Sequence, residues 1–532
     1  MDMHTLSRQT LFDTLHRSAR RYPDKIALRQ GEKEYSYRDF NDLCLRVAGG
    51  LKDLGIQSGD RVAMLSRNSI AFAAVRYAVA ATGAILVPVN FMLNIRETRY
   101  ILEHSGARLL FVGETERDKA IAAARQCPQV QQLVWLPGQD TGNMPDGIIP
   151  FDQLCSSDHY TDNAVIETNA PAQIIYTSGT ESAPKGAVLS HAAILWQYSS
   201  CLIDAEIAGD DTILHALPLF HCAQLDCFLG PALKIGSRNV ITDDPSPENL
   251  LSLLAGEQVT SFFAPPTVWI SLLRSELFEQ SDLSHLRKGY YGASIMPVEV
   301  MKEIHARLPD IRLWNLYGQT EMAPMATILK PADQLRKAGS AGRPALYVET
   351  RIVDDAGTEV ATGEIGEVVH RSPQLLTEYF RDPERTAAAF EGGWFHSGDL
   401  GVMDSEGYLA IVDRKKDMIK TGGENVSSRE VEEVIYQLPE VSEVAVIGLS
   451  HPRWMEAVAA VIVPRTGCTV DPETVIHHCT QCLAGFKVPK AVLAADMLPR
   501  NPSGKILKRN LREAFADTFI TGPDHESRDN NY

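Results

Sequence analysis

Between residues 61 and 136 the chain alternates between short β-branched runs and stretches of helical period. RVAMLSRN (61–68) reads as a strand and SIAFAAVRYAVAATG (69–83) as a helix; ARLLFVG (107–113) is a second strand, ETERDKAIAAARQC (114–127) a helix and VQQLVWL (130–136) a third strand. Strands that alternate with helices are joined by crossovers rather than hairpins, so this pattern predicts a largely parallel sheet covered by helices. The chain has 532 residues, more than a single core can serve, because cores stop growing at about 250–300 residues. A second domain is therefore expected, and the pattern changes where it should begin. Glycines and charges cluster in HSGDLGVMDSEGYLAIVDRKKDMIKTGGENVS (396–427), after which SREVEEVIYQLP (428–439) reads as a helix and VSEVAVIGL and AVAAVIVP as strands. The expected architecture is α/β: a large N-terminal domain over residues 1–415, of sheets flanked by helices, and a small α+β C-terminal domain over 416–532. The final dozen residues, TGPDHESRDNNY, are polar and expected to fray.

Composition excludes some functions. A net charge of -17 argues against nucleic acid as the main partner, because phosphate backbones need a basic surface. The most apolar run, AVRYAVAATGAILVPV (74–89), is interrupted by Arg76 and falls short of a membrane span. The N-terminus has no apolar stretch long enough for a signal peptide. Nine cysteines scattered from Cys44 to Cys482 read as reduced thiols in a cytoplasmic protein. HHCTQC (477–482) has zinc-knuckle spacing but no second ligand pair follows, so it reads as a helix with two buried thiols. A homodimer remains open.

The chemistry is concentrated in five segments. TSGTESAPKGAVLSH (177–191) follows the apolar strand AQIIY and combines hydroxyls, glycines and a lysine. A Walker loop would run straight into a helix; here Pro184 and the β-branched Val188 predict strand–loop–strand, a clamp for phosphates. Taken alone, the loop is equally a solvent turn. NLYGQTE (315–321) ends in Glu321, suited to ligate a magnesium ion that also takes substrate phosphates. GGWFHSGDLG (392–401) presents Asp399 between glycines, where one carboxylate can accept from a diol. VDRKKDMIKTGGENV (412–426) joins Arg414 to two glycines, and LPRNPSGKILKRNL (498–511) holds Lys505 on a Pro/Gly turn.

Together and in this order, these segments resemble the adenylate-forming superfamily of acyl- and aryl-CoA synthetases, luciferases and peptide-synthetase adenylation domains. The resemblance runs from YSYRDFNDL (35–43) to Lys505 and is closest to bacterial fatty acyl-CoA synthetases. It implies that a carboxylic acid reacts with ATP and Mg2+ to give acyl-AMP and pyrophosphate, and that CoA then displaces AMP. It implies that Thr177, Ser178, Gly179, Thr180 and Lys185 cradle the β- and γ-phosphates, with Thr320 and Glu321 at the α-phosphate and the metal. Tyr317 would stack on adenine, with Gly318 and Gln319 beside it and Gly292, Ala293 and Ser294 lining the ring. Asp399 and Arg414 would hold the ribose. Lys505 would bridge the acid and the α-phosphate, and the small domain carrying it would be mobile, with a hinge at Lys416. Gly422 and Gly423 would line the thiol tunnel.

Two segments depart from the family pattern. Glu181 and Ser182 stand where the loop usually continues Thr-Gly, and the Glu181 carboxylate is expected to face away from the triphosphate. Met455 stands where a glycine is usual. The acid side has His221 where amino-acid-activating domains carry an aspartate, and the acyl wall is expected from Cys222, Phe263, Pro266, Trp269 and Ala293. A medium- or long-chain fatty acid is the expected substrate, with an aryl acid or a carrier-protein loader as alternatives. A luciferase-type monooxygenase would share every motif and be told apart by oxygen uptake. A noncatalytic sensor would be expected to lack Lys505, Glu321 or Asp399, and all three are present.

Overall fold

The computed structural model describes residues 8–136, 147–156, 160, 166–177, 184–292, 294, 296–500 and 506–519. Of the residues singled out above, Ser178, Gly179, Thr180, Glu181, Ser182, Ala293 and Lys505 lie outside that set, as does the polar C-terminal dozen.

The alternating segments fold as their periodicity requires. The strands Arg61–Leu65, Leu109–Val112 and Gln132–Trp135 lie side by side and parallel, separated in sequence by the helices Ile70–Thr82 and Arg117–Ala124. They belong to an eight-stranded sheet that continues through Ile85–Pro88 to Pro171–Thr177, Lys185–Ser190 and Glu378–Tyr379. A nine-stranded sheet is parallel from Ile26–Gln30 through Arg238–Ile241, Thr212–His215, Ser261–Phe263 and Lys288–Gly292 to Arg312–Gly318, and antiparallel only at its edges. Every residue of the helix Ile70–Thr82 is buried, and it packs on the helices Leu11–Arg21 and Tyr37–Asp53. Ser69 caps its start by accepting from the Phe72 N–H, and Gly83 closes it in the left-handed conformation.

The chain divides into two compact units, Met1–Thr350 with His370–Phe395, and Arg351–Val369 with His396–Tyr532. The sequence reading sets its boundary at 415. Compactness instead groups Asp399 and Arg414 with the C-terminal residues, because their strands, Phe395–Met403 and Leu409–Arg414, pair antiparallel within one small sheet. The rest of the second unit is a five-stranded sheet. Its long hairpin Val441–His451/Met455–Pro464 is flanked by Ala491–Ala494 and by the short hairpin Ile419–Thr421/Glu424–Val426. The helices Ser428–Ile435 and Pro472–Cys482 cover one face through Val431, Ile435, Val475 and Cys479. HHCTQC therefore lies on a helix, but only Cys479 is buried; Cys482, read as its buried companion, is exposed. Among the described residues no helix is long and apolar enough to cross a membrane.

Candidate active site

In the first unit, the strands Pro171–Thr177 and Lys185–Ser190 pair antiparallel with Thr177 opposite Lys185, so the strand–loop–strand reading holds on both sides of the loop. Lys185 thus stands at the loop's mouth. Its Nζ is 5.0 Å from the centroid of the Tyr379 ring, on the short strand that pairs Tyr379 with Ala187. Tyr379 in turn donates its hydroxyl to Glu321 Oε1 at 2.9 Å. Burial and the adjoining carboxylate push the phenol's pKa up, so it stays a donor. Cation, phenol and carboxylate therefore form one contiguous group.

Glu321 sits on the 3-10 turn Thr320–Met322, which ends at Ala323 in the left-handed conformation. Leu376 N–H fixes the turn by donating to Glu321 O at 2.8 Å, and Gln319 N–H donates to Pro324 O at 3.0 Å. The Gln374 amide adds bonds to the carbonyls of Met322 and Met325. Gly318 is needed where it stands, because a Cβ there would meet Pro324 O at 1.9 Å.

The residues fit a magnesium nucleotide. Glu321 is only 8% exposed and has no ion-pair partner among the described residues, an arrangement that favours a bound cation. Beside it, Gln319 Nε2 is buried with no hydrogen-bond acceptor among the described residues, a donor suited to a phosphate or ribose oxygen. Gly292 pairs with Leu316 across the adjacent strands, and the half-buried Tyr317 follows with its ring 6.4 Å from that of His370. Ser294 is exposed.

His221 heads the segment expected from sequence to face the acid. Its Nδ1 accepts from Ala223 N–H at 3.1 Å, capping the turn Cys222–Gln224, which leaves Nε2 as the donor. Although the residue as a whole is only partly buried, burial of the ring holds its pKa down at about 4, so it is neutral at physiological pH. The Cys222 thiol, buried and pushed up in pKa, donates to Thr320 Oγ1 at 3.5 Å and so links its segment to the Thr320–Met322 turn. Phe263 shares a core cluster with Cys222; it stacks on Phe228 with centroids 4.5 Å apart, and Tyr290 stacks on Trp314 at 5.0 Å. Trp269 is not brought to this wall. It packs on Phe262, donates to Tyr290 O at 3.1 Å and belongs to a different cluster. The alternation along Ser261–Phe263 sends Phe262 and Phe263 to opposite faces, and Trp269 follows Phe262.

In the second unit, Asp399 and Arg414 are cross-strand partners, with Arg414 Nε 3.1 Å from Asp399 Oδ1. Asp399 is 5% exposed, and its N–H donates to Ser397 Oγ at 3.0 Å. The pair can accept and donate to a vicinal diol at once. Lys416 is exposed on the turn after this strand, next to Asp417, which pairs with Arg512 at 2.9 Å. Gly422 and Gly423 form a two-residue hairpin tip with φ of 59° and 92°, the geometry of a type I′ turn. Gly422 N–H donates to Trp454 O at 3.0 Å. The Trp454 indole stacks on His451 at 4.4 Å, with Lys490 Nζ 5.1 Å from its centroid. Met455 has φ of 69°, so the position where the family favours glycine retains a glycine-like backbone.

Tyr379 was not anticipated from sequence; its strand partner lies far away in the chain, and only the sheet order reveals the pairing.

The buried Glu321 turn, the paired strands around residues 177–185 and the Asp399–Arg414 pair keep the order of the adenylate-forming motifs, and the chain belongs to the family of AMP-binding enzymes. The model for AMP-binding enzymes matches residues 15–380, and that for their C-terminal domain matches 430–505. Feruloyl-CoA synthase of Amycolatopsis sp is 34% identical over 94% of this chain and 98% of its own. Long-chain-fatty-acid–CoA ligase FadD13 of Mycobacterium tuberculosis is 36% identical over 91% and 93%. ATP-bound MatB from Rhodopseudomonas palustris superposes with a TM-score of 0.87 at 30% identity, covering 96% of this chain and 99% of that one. The chain is an acid–CoA ligase of the acyl/aryl class that uses ATP, Mg2+ and CoA.

Proposed function

We propose that the enzyme activates a medium- or long-chain fatty acid as acyl-AMP and transfers the acyl group to CoA. The observation that carries this reading is the wall around Cys222: a neutral His221, a protonated Cys222 thiol and packed apolar rings, with no unneutralised charge among the described residues of that cluster to meet a second carboxylate or an ammonium. An aryl acid is the second reading, favoured by the parallel ring pairs Phe228–Phe263 and Tyr290–Trp314. The cysteines, free throughout the chain, suit a cytoplasmic enzyme.

In the first step a carboxylate oxygen attacks the α-phosphorus and pyrophosphate leaves; in the second the CoA thiolate attacks the acyl carbonyl and AMP leaves. Both partners of the first step are anionic, so the protein's task is to supply positive charge and alignment. Lys185, with Thr177, Ser178, Gly179 and Thr180, holds the departing phosphates, and Thr320 orients the α-phosphate. Glu321, held by Tyr379, would ligate Mg2+, which screens the triphosphate's charge. Tyr317, Gly318, Gln319, Gly292, Ala293 and Ser294 enclose the adenine, while Asp399 and Arg414 hold the ribose. Lys505 neutralises the charge that builds between acid and phosphate. Lys416 serves as hinge, and Gly422 and Gly423 line the path of the thiol. His221 donates Nε2–H on the acid side.

A panel of alkanoic acids from six to eighteen carbons, with ferulic, indoleacetic and benzoic acids, assayed for CoA-dependent AMP release, tests the substrate. The highest kcat/KM should fall on an acid of eight carbons or more. A benzoate or cinnamate preferred tenfold over every alkanoic acid would replace the fatty-acid reading with the aryl one.

A further inference from the structure

Within the first unit, Arg76 and Asp226 form an ion pair whose side chains are 1% and 0% exposed. None of the nucleotide or thiol roles assigned above uses it. Arg76 comes from the buried helix Ile70–Thr82 and Asp226 from a single π-turn, Leu225–Leu229, directly after Cys222–Gln224. Three more side chains converge on the pair. Arg76 Nη1 donates to Tyr198 OH at 2.9 Å. Gln173 Nε2 donates to Asp226 Oδ2 at 2.6 Å. The Gln197 amide nitrogen, in the orientation that satisfies its neighbours, donates to Asp226 O at 2.8 Å and Ala323 O at 3.3 Å.

These contacts connect the parts that must meet during adenylation. Gln173 lies on the strand that runs into Thr177 and the phosphate clamp. Ala323 ends the Thr320–Glu321 turn. Asp226 lies one turn beyond His221 and Cys222. A buried ion pair is a costly way to fill a core, because desolvation cancels much of the attraction and apolar replacements are often as stable; its best-attested use is to fix register. π-turns, for their part, concentrate at functional sites.

We propose that Asp226, held by Arg76, is a positioning residue that sets the acyl wall in register with the phosphate strand and the Thr320–Glu321 turn. It thereby aligns the acid's carboxylate with the α-phosphorus. The proposal rests on the ligase reading for its assay but not for its geometry.

The test is the double variant Arg76→Met/Asp226→Leu, which removes both charges and leaves no buried ion unpaired. Its melting temperature should stay at or above that of the parent, while acid-dependent adenylation falls by about ten- to hundredfold, the penalty for misaligned reactants. The KM for the acid should rise and the order of preferred acids change, and thioester formation from supplied acyl-AMP should change much less. A folded double variant that adenylates within twofold of the parent, with the same order of acids, overturns the proposal. Should the double variant fail to fold, Gln173→Met decides, since it keeps the ion pair and removes only the tie to the phosphate strand. A fivefold or greater loss in adenylation kcat supports the proposal, and an unchanged kcat at parental stability overturns it. A parent that forms no acyl-AMP with any acid contradicts the ligase reading instead.

Discussion

At the scale of single residues, the informative contacts are those that hold a charge or a strained backbone in place. Tyr379 supplies the one side-chain hydrogen bond that Glu321 receives among the described residues. Tyr379→Phe removes a bond to a charged group, typically worth about 1.5–3 kcal/mol. The Mg2+ concentration for half-maximal AMP release should rise roughly tenfold or more; an unchanged Mg2+ titration would mean that Glu321 is not the metal's carboxylate. Met455 poses the opposite case. It holds φ at 69° while 71% exposed, and left-handed backbone costs a residue with a Cβ about 1–2 kcal/mol. Glycine recovers part of that cost and gives some back through a more flexible unfolded chain. Met455→Gly should therefore raise the second unit's stability by on the order of 0.5–1 kcal/mol, read from its urea midpoint. A lower midpoint would show that the methionine side chain makes a contact worth more than the strain.

Among the elements, the strands flanking residues 178–183 were legible because their signals are local: Pro184 and Val188 exclude a helix, and the β-branched runs on either side become the paired strands. The Asp399–Arg414 pair was legible only as two motifs; their cross-strand register depends on where the hairpin between them turns. Trp269 was assigned to the acyl wall by its place in the chain, and a three-residue strand put it behind the sheet instead. Arg76 reads in sequence only as an interruption of an apolar run, since its partner Asp226 lies 150 residues further on. The hairpin tip Gly422–Gly423 carries a reciprocal prediction with Lys505. Gly423→Leu puts a branched side chain at φ of 92° and should slow thioester formation from acyl-AMP while sparing adenylation. Lys505→Ala should cost about 10²–10³ in adenylation and leave the thiol step nearly intact. Equal losses in both steps for both variants would contradict the division of labour assigned to these elements.

For the whole molecule, the first unit carries an acid-sensitive core. Burial holds His191, His215, His221 and His370 each at about 4 against the usual 6.5. Once unfolded, each binds a proton between those values, so stability present above about pH 6.5 is lost as pH falls toward 4. The urea midpoint should drop steeply between about pH 6.5 and 4.5; a flat midpoint over that range would mean these imidazoles titrate normally in the fold. The central claim is that the acid's own oxygen becomes part of AMP, because the carboxylate attacks phosphorus before the thiol attacks carbon. Its most direct test is a turnover with acid labelled with 18O in both carboxylate oxygens, in the presence of ATP, Mg2+ and CoA, with mass spectrometry of the products. The account predicts one 18O atom in AMP, one in the thioester and none in pyrophosphate. ADP in place of AMP, with one 18O recovered in inorganic phosphate, would show that activation proceeds through an acyl phosphate and that the adenylate mechanism is wrong.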